Sequence, residues 1–394
     1  MTKLPHLRLK PSQGRRARAG APWIFSNEIA MDGSTRHLPP GSLVEMEAED
    51  GRRFGVGYYN AGSLIAVRLF EVAPDQEIDA DFFAARLTRA LALRASFFDR
   101  PFYRLVHAEG DLLPGLVIDR YGETCVVQIT TAGMEALLPY VLDALDRVIG
   151  PASVLLRADA PVRSLEGLPA YVQTVRGGKD NRLRVEEGGL IYLAEPAGGQ
   201  KTGWYFDQRG NRAFISKLAR GRSVLDLYCH SGGFAIAAAA AGARQVRGID
   251  SSAAALALAG DAACENDVGV HCQFVKADAM DELERLGATG EVFDVVICDP
   301  PPFVRSRKNL ESGARAYRKL ARLAARVTAP DGFLLLASCS HNISADRFLA
   351  ECAAGIRRTG RRGCLIRAAG AGPDHPIHPL LPETAYLKSL VFRI

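Results

Sequence analysis

The sequence predicts an α/β chain organised on a doubly wound parallel sheet, and three stretches carry that reading. Residues 223–250 open with the apolar run Val224-Leu225-Asp226-Leu227 and turn at Ser231-Gly232-Gly233. They continue into an alanine-rich helix at about 234–241 and close on a second strand ending at Asp250. This strand–turn–helix–strand unit is how such a sheet begins. Two further apolar runs, 293–298 and 333–337, end beside Asp299 and Cys339. Open α/β sheets bind ligands at the carboxyl ends of their strands, so both residues stand where chemistry is expected.

Taken in order, residues 1–20 hold Lys3, Arg8, Lys10, Arg15, Arg16 and Arg18 and no acid. Short strands follow at 42–47, 53–59 and 64–69, turned at Asp50-Gly51 and Ala61-Gly62-Ser63. The segments Gly20-Ala21-Pro22-Trp23-Ile24-Phe25-Ser26 and Gly55-Val56-Gly57-Tyr58-Tyr59-Asn60 resemble a PUA domain, a small RNA-binding β-barrel. Trp23 and Phe25 are expected in its core. Arg15, Arg16 and Arg18 are the candidates for RNA contact.

From about 75 to 180 the pattern is α+β. Helices are expected at 79–98 and 134–148, with strands at 112–121, 125–129 and 154–157. No catalytic constellation stands out; Asp111 and Asp119 read as turn and cap residues. A hairpin about Gly188-Gly189 leads into the dense polar stretch 199–212, where Asp207 reads as a helix N-cap.

The glycine turn selects among nucleoside cofactors. It lacks the G-x-G-x-x-G of a dinucleotide site and the Gly-Lys-Ser/Thr of a phosphate loop. S-adenosylmethionine carries no phosphate and is positively charged, which an acid at Asp226 favours. Asp250 can accept from a ribose diol. A glycine turn in an ordinary α/β domain is the plain alternative.

Beyond it, a helix at 252–266 and a strand at 271–275 lead to Asp278, which reads equally as an adenine contact or a helix cap. Asp299-Pro300-Pro301-Pro302 forms a rigid turn poor in N–H groups. Arg305, Arg307 and Lys308, with Arg315, Arg318 and Lys319 behind them, form a basic rim suited to a phosphate backbone. Taken alone, Cys339 reads as a small hydrophobe; its place beside Asp299 makes it a candidate nucleophile. Cys298 belongs to the strand and is expected to point away from Asp299. Cys229 lies in the glycine turn and is expected to line the pocket, and His341 is either a proton carrier or a surface histidine. His375 and His378 sit in a proline-stiffened loop before a final strand at 389–393, and no metal is expected.

Four of these stretches, 199–212, the turn 226–233, the Asp299 segment and Ser338-Cys339-Ser340, resemble large-subunit ribosomal RNA cytosine-C5 methyltransferases over nearly the whole chain. The resemblance implies a PUA β-barrel at 1–75, a central α+β domain at 76–185 and a Rossmann-like class I methyltransferase domain at 186–394. It implies S-adenosylmethionine as cofactor, held by Asp226, Tyr228, Gly232, Gly233, Phe234, Asp250, Ser251, Asp278 and Asp299, with Gln208 and Arg209 from the closing segment. Cys339 is implied as the nucleophile and Asp299 as its partner. The alternatives are methylation of a ring amine or guanine through Asp299-Pro300-Pro301, and RNA binding without catalysis. The partner implied is large-subunit ribosomal RNA, with a homodimer left open.

Composition is consistent with these expectations. The 394 residues carry 49 Lys+Arg against 44 Asp+Glu, a net charge of +5 concentrated in patches at the N-terminus, 176–184, 305–319 and 357–362. The eight cysteines form no C-x-x-C pair, and no apolar run spans a bilayer, so a cytoplasmic protein without a membrane partner is expected.

Overall fold

The computed structural model describes residues 4–178, 182–198 and 203–394. Lys3, the 179–181 part of the second basic patch, and the Gly199-Gln200-Lys201-Thr202 start of the polar stretch lie outside the described residues. The chain divides into two compact units. One holds Met1–Asn181, Pro196–Trp204 and Pro373–Thr384; the other holds Arg182–Glu195, Tyr205–Gly372 and Ala385–Ile394. Among the described residues no helix is long and apolar enough to cross a membrane.

In the first unit, a five-stranded sheet runs His6–Arg8, Ser42–Glu47, Arg53–Tyr59, Ile65–Leu69, Trp23–Phe25. Trp23 and Phe25 are not its core. Successive strand side chains face opposite ways, and Ile24 takes the buried side, leaving both aromatics half-buried. Trp23 instead donates its indole N–H to Glu109 at 2.8 Å and lies under the Arg68 guanidinium. The basic arm folds as the single turn Arg15–Arg18, which buries Ala17 and exposes Arg15, Arg16 and Arg18.

A second sheet of the same unit runs Tyr171–Arg176, Ser153–Ala158, Thr124–Ile129, Leu116–Tyr121, Phe102–His107, with the helices Ala80–Ala95 and Leu138–Val148 packed together beside it. The expected helix at 134–148 is two, Ala132–Ala136 and Leu138–Val148, because Pro139 cannot donate to a preceding turn and starts a new one. The strand expected from 112 begins at Leu116, since Leu112 has a left-handed φ of 60°. Asp119, inside the strand Leu116–Tyr121, is the acid of a buried ion pair rather than a turn or cap residue, and Asp111, which closes the turn Ala108–Asp111 and accepts the His107 N–H at 2.6 Å, is the acid of another. Asp111 meets Arg94 at 2.5 and 2.7 Å, and Asp119 meets Arg104 at 2.9 and 3.0 Å. Arg94 also donates to the Asp374 carbonyl at 2.7 Å, which ties the histidine-containing segment into this unit and buries His375 and His378.

The second unit is built on β1 (Ser223–Leu227), β2 (Gln245–Asp250), β3 (Cys272–Lys276), β4 (Phe293–Cys298), β5 (Thr328–Ser338), β6 (Cys364–Ala369) and β7 (Lys388–Arg393). Their order in space is β3-β2-β1-β4-β5-β7-β6, with β7 antiparallel to both neighbours and the other pairs parallel. All five residues of β1 are buried, as befits a central parallel strand. The winding reverses between β1 and β4, which leaves a ligand crevice at their carboxyl ends. The hairpin Leu183–Glu187/Leu190–Ala194 turns on Gly188 and Gly189, both at positive φ.

Candidate active site

Strand register lines the site up. Leu227 pairs with Ile249 on one side and Cys298 on the other, and Cys298 pairs with Leu336. One residue further along, Tyr228, Asp250 and Asp299 emerge at the same edge, followed closely by Ser338-Cys339-Ser340 on β5.

The turn after β1 is tightly wound. Tyr228 and His230 have φ of 62° and 49°, and Gly232 has φ of 80°. A Cβ on Gly232 would also stand 2.9 Å from the Ala259 Cβ, so the position requires glycine. Asp250 fixes the turn to β2: its Oδ2 accepts the His230 N–H at 2.9 Å and its Oδ1 the Ser252 N–H at 2.8 Å. Cys229 is buried within the turn, its N–H on the Ile249 carbonyl at 3.0 Å. Gly233 and Phe234 open the following helix and are buried, while Tyr228 is half-buried and Ser251 exposed.

Asp226 is the site's electrostatic centre. It is 1% exposed; Oδ2 accepts the Ala235 N–H at 3.0 Å, and Oδ1 has no hydrogen-bond partner. Burial, opposed by the Ala235 N–H and reinforced by the charges of Asp299 and Asp250, pushes its pKa well above the usual carboxylate range. A buried carboxyl with an orphan oxygen and two acids beside it is a seat for a cation. The positive charge of S-adenosylmethionine fits that demand, and the phosphate-free turn fits its nucleoside.

Cys339 is placed by its neighbours. Ser338 Oγ donates to the Tyr317 hydroxyl at 2.8 Å, and Ser340 Oγ lies 2.9 Å from the same oxygen. The Val304 N–H donates to Ser340 Oγ at 3.2 Å and the Phe303 N–H to Tyr317 at 3.4 Å, so one buried hydroxyl cluster joins the β5 end to the loop after Asp299. Both serines are buried on Tyr317, whereas Cys339 between them is half-buried. Lys388 donates to the Ser340 and Ile343 carbonyls at 2.6 and 3.1 Å; burial lowers its pKa while the Cys339 thiol raises it. Tyr317→Phe is expected to keep the fold but slow methyl transfer about tenfold, with altered alkylation of Cys339 by iodoacetamide as the direct readout. Unchanged alkylation and turnover would reduce Tyr317 to a packing residue.

Tyr205 was not singled out by sequence reasoning. Its hydroxyl is pushed up first by burial and then by Asp299, Asp207, Cys339 and Asp250, which places it near those four residues, and its ring meets His230 edge-on at 5.3 Å. Asp207 is not an N-cap: it is buried in the turn Phe206–Gln208 and accepts the Tyr386 hydroxyl at 2.6 Å. Tyr386 in turn lies 5.4 Å from the His341 ring. Gln208 is buried with Oε1 on Asn211 at 2.6 Å; Arg209 reaches Glu187 at 3.4 Å. Asp278 caps the helix Ala279–Thr289 through the Met280 and Asp281 N–H groups at 2.8 and 3.1 Å, and its side chain is exposed. Cys298 is fully buried in the core, where burial pushes its thiol up, an inert setting. Arg305, Arg307 and Lys308 are exposed on the loop that follows Asp299.

This strand order, with an acid-backed glycine turn at its switch point, defines an S-adenosylmethionine-dependent methyltransferase, and the family model of that description matches residues 173–393. A PUA-like domain model matches residues 7–71. The fold is shared with a Streptococcus mutans protein described as a SAM-dependent methyltransferase, at TM-score 0.83 and 18% identity over 99% of this chain and 100% of that one. It is shared too with a methyltransferase solved with S-adenosylhomocysteine, at TM-score 0.85, 18% identity and the same coverage. The ribosomal RNA large subunit methyltransferase I of Shewanella frigidimarina is 34% identical over 98% of this chain and 99% of its own length. That of Aeromonas salmonicida is 35% identical over 94% and 95%. The chain belongs to the ribosomal RNA large subunit methyltransferase I family.

Proposed function

We propose that the chain methylates C5 of a cytosine in large-subunit ribosomal RNA, with Cys339 as nucleophile. The observation that carries this reading is the delivery of Asp299 and a half-buried, serine-flanked Cys339 to one sheet edge beside the Asp226 seat. S-adenosylmethionine, when bound, supplies an electrophilic methyl group, and Asp226, Asp250 and the Gly232–Gly233 turn are the groups that would hold it. Tyr228, Phe234, Ser251, Asp278, Gln208 and Arg209 complete the proposed pocket.

Cytosine C5 is a weak nucleophile. Addition of the Cys339 thiolate to C6 turns the ring into an enamine whose C5 is electron-rich. Asp299 hydrogen-bonds near N3, where charge develops. Once C5 is methylated, a base removes the C5 proton, the C6–S bond breaks and the thiolate is regenerated. Methylation of a ring amine needs no cysteine at all. Family relatives carry the name of a large-subunit ribosomal RNA enzyme, which supports the choice of RNA.

The test is to incubate the protein with S-adenosylmethionine and unmodified large-subunit ribosomal RNA, then map the product by mass spectrometry. 5-Methylcytosine is expected; methylguanine or an N-methylated base would overturn the reading. A second expectation concerns the arm. Replacing Arg15, Arg16 and Arg18 by Gln should lower the log–log salt slope of RNA binding by about two units while leaving cofactor binding intact. An unaltered slope would return these residues to a solvated face.

A further inference from the structure

Outside the sheet edge, the helix Leu310–Val327 has one face buried through Ala314, Tyr317, Leu320, Ala321 and Ala324, and the opposite face almost wholly basic. Arg318 and Lys319 lie three and four residues after Arg315 and four and three before Arg322, and Arg326 lies four after Arg322, so the five form a single stripe. Arg358, from the end of the neighbouring helix Ala345–Arg357, joins them around a groove of about 510 Å³. Two of the basic patches, 305–319 and 357–362, separate in sequence, thus meet on one surface in the fold.

The charges in this groove are poorly balanced. Arg318 is paired with Glu351 at 2.5 Å and Lys319 with Glu284 at 2.9 Å. Among the described residues, Arg315, Arg322, Arg326 and Arg358 meet no acid within ion-pair distance. Arg315 and Lys319, Arg318 and Arg322, and Arg322 and Arg326 are like charges four apart on one helix, an arrangement that disfavours the helix. A stripe kept against its own repulsion is suited to a polyanion that relieves it. From Arg315 to Arg326 the stripe runs about 16 Å at the helical rise of 1.5 Å per residue, long enough for several successive phosphates. The helix begins directly after the loop that carries Asp299, Arg305, Arg307 and Lys308.

We infer that this groove is a phosphate track that holds the RNA backbone leading away from the modified base. The inference rests on the RNA substrate proposed above. It contributes affinity without sequence choice, because guanidinium contacts to phosphate carry no base information. The occupant is RNA rather than an acidic protein, since the stripe continues the basic rim of the candidate active site.

The experiment measures binding of a large-subunit ribosomal RNA fragment by fluorescence anisotropy between about 50 and about 300 mM KCl. The variant carries Arg315→Gln, Arg322→Gln, Arg326→Gln and Arg358→Gln together, and a companion carries Lys at the same four positions. The Gln variant is expected to lose about three units of log–log slope, and the Lys companion to keep nearly all of it. S-adenosylhomocysteine binding, equal in all three proteins, shows that the fold is intact. A Gln variant with wild-type slope overturns the inference and leaves the groove to an acidic protein partner. Mapping of the methylated base with the wild-type protein separates the two readings. Wild-type formation of 5-methylcytosine with an unaltered variant slope defeats the groove alone. A different product with the expected slope change defeats the cytosine reading alone.

Discussion

Cys339→Ala is expected to bind S-adenosylhomocysteine and RNA as the wild type does, yet to lose methyl transfer by on the order of 10⁴-fold. The size follows from the proposed role: without addition at C6, nothing else in the site makes C5 electron-rich. Cys298→Ala should retain most activity, because that thiol is buried in the core and disfavoured as a thiolate. The intermediate can also be caught. Fluorine at C5 of the target cytosine removes the proton whose loss frees the thiol, so a covalent RNA–protein adduct should accumulate, survive denaturing electrophoresis and require S-adenosylmethionine. Peptide mapping should place it on Cys339. A Cys339→Ala protein that methylates near the wild-type rate would sink the nucleophile assignment and favour amine methylation through Asp299-Pro300-Pro301.

How much of this was legible in the sequence follows from where each signal is stored. The central strands were readable because β1 and β4 are buried nearly throughout and so are written as apolar runs. The glycine turn and the acids at the strand ends are local in sequence as well. Two edge strands were not readable: Tyr171–Arg176 and β6 are mostly exposed on both faces and carry no regular alternation. Asp207 looked like a cap because its partner, Tyr386, lies 179 residues away. The same holds for the groups that place Cys339. Tyr317 precedes Ser338 by 21 residues, and Lys388 follows Ser340 by 48, so nothing in either neighbourhood announces the pairing. Asp119 misled for a related reason, since an acid close to a turn reads as a local acceptor until the buried arginine that claims it is known. The strand ends and the residues they carry were legible; the shell packed around them required the fold.

Asp226→Asn is expected to weaken S-adenosylmethionine binding about 100-fold and, in the same protein, to raise the stability of the cofactor-free form. Asparagine keeps an oxygen for the Ala235 N–H but removes the charge that attracts the cofactor. The stability gain follows from the sign of the shift. The Asp226 pKa is raised in the folded state, chiefly by burial, so the unfolded chain gives up this proton first as pH rises. Wild-type stability therefore falls, relative to the variant, from about pH 4 up to the raised pKa, and the deficit is constant above it. A bound cation favours the carboxylate, so cofactor binding to the wild type should release a proton across that window. The variant should release none. Calorimetry in two buffers of different ionisation heat measures the proton, and the difference in melting temperature against pH measures the stability. A pH-independent difference, or undiminished affinity in the variant, would mean that Asp226 supports the turn without meeting the cofactor's charge.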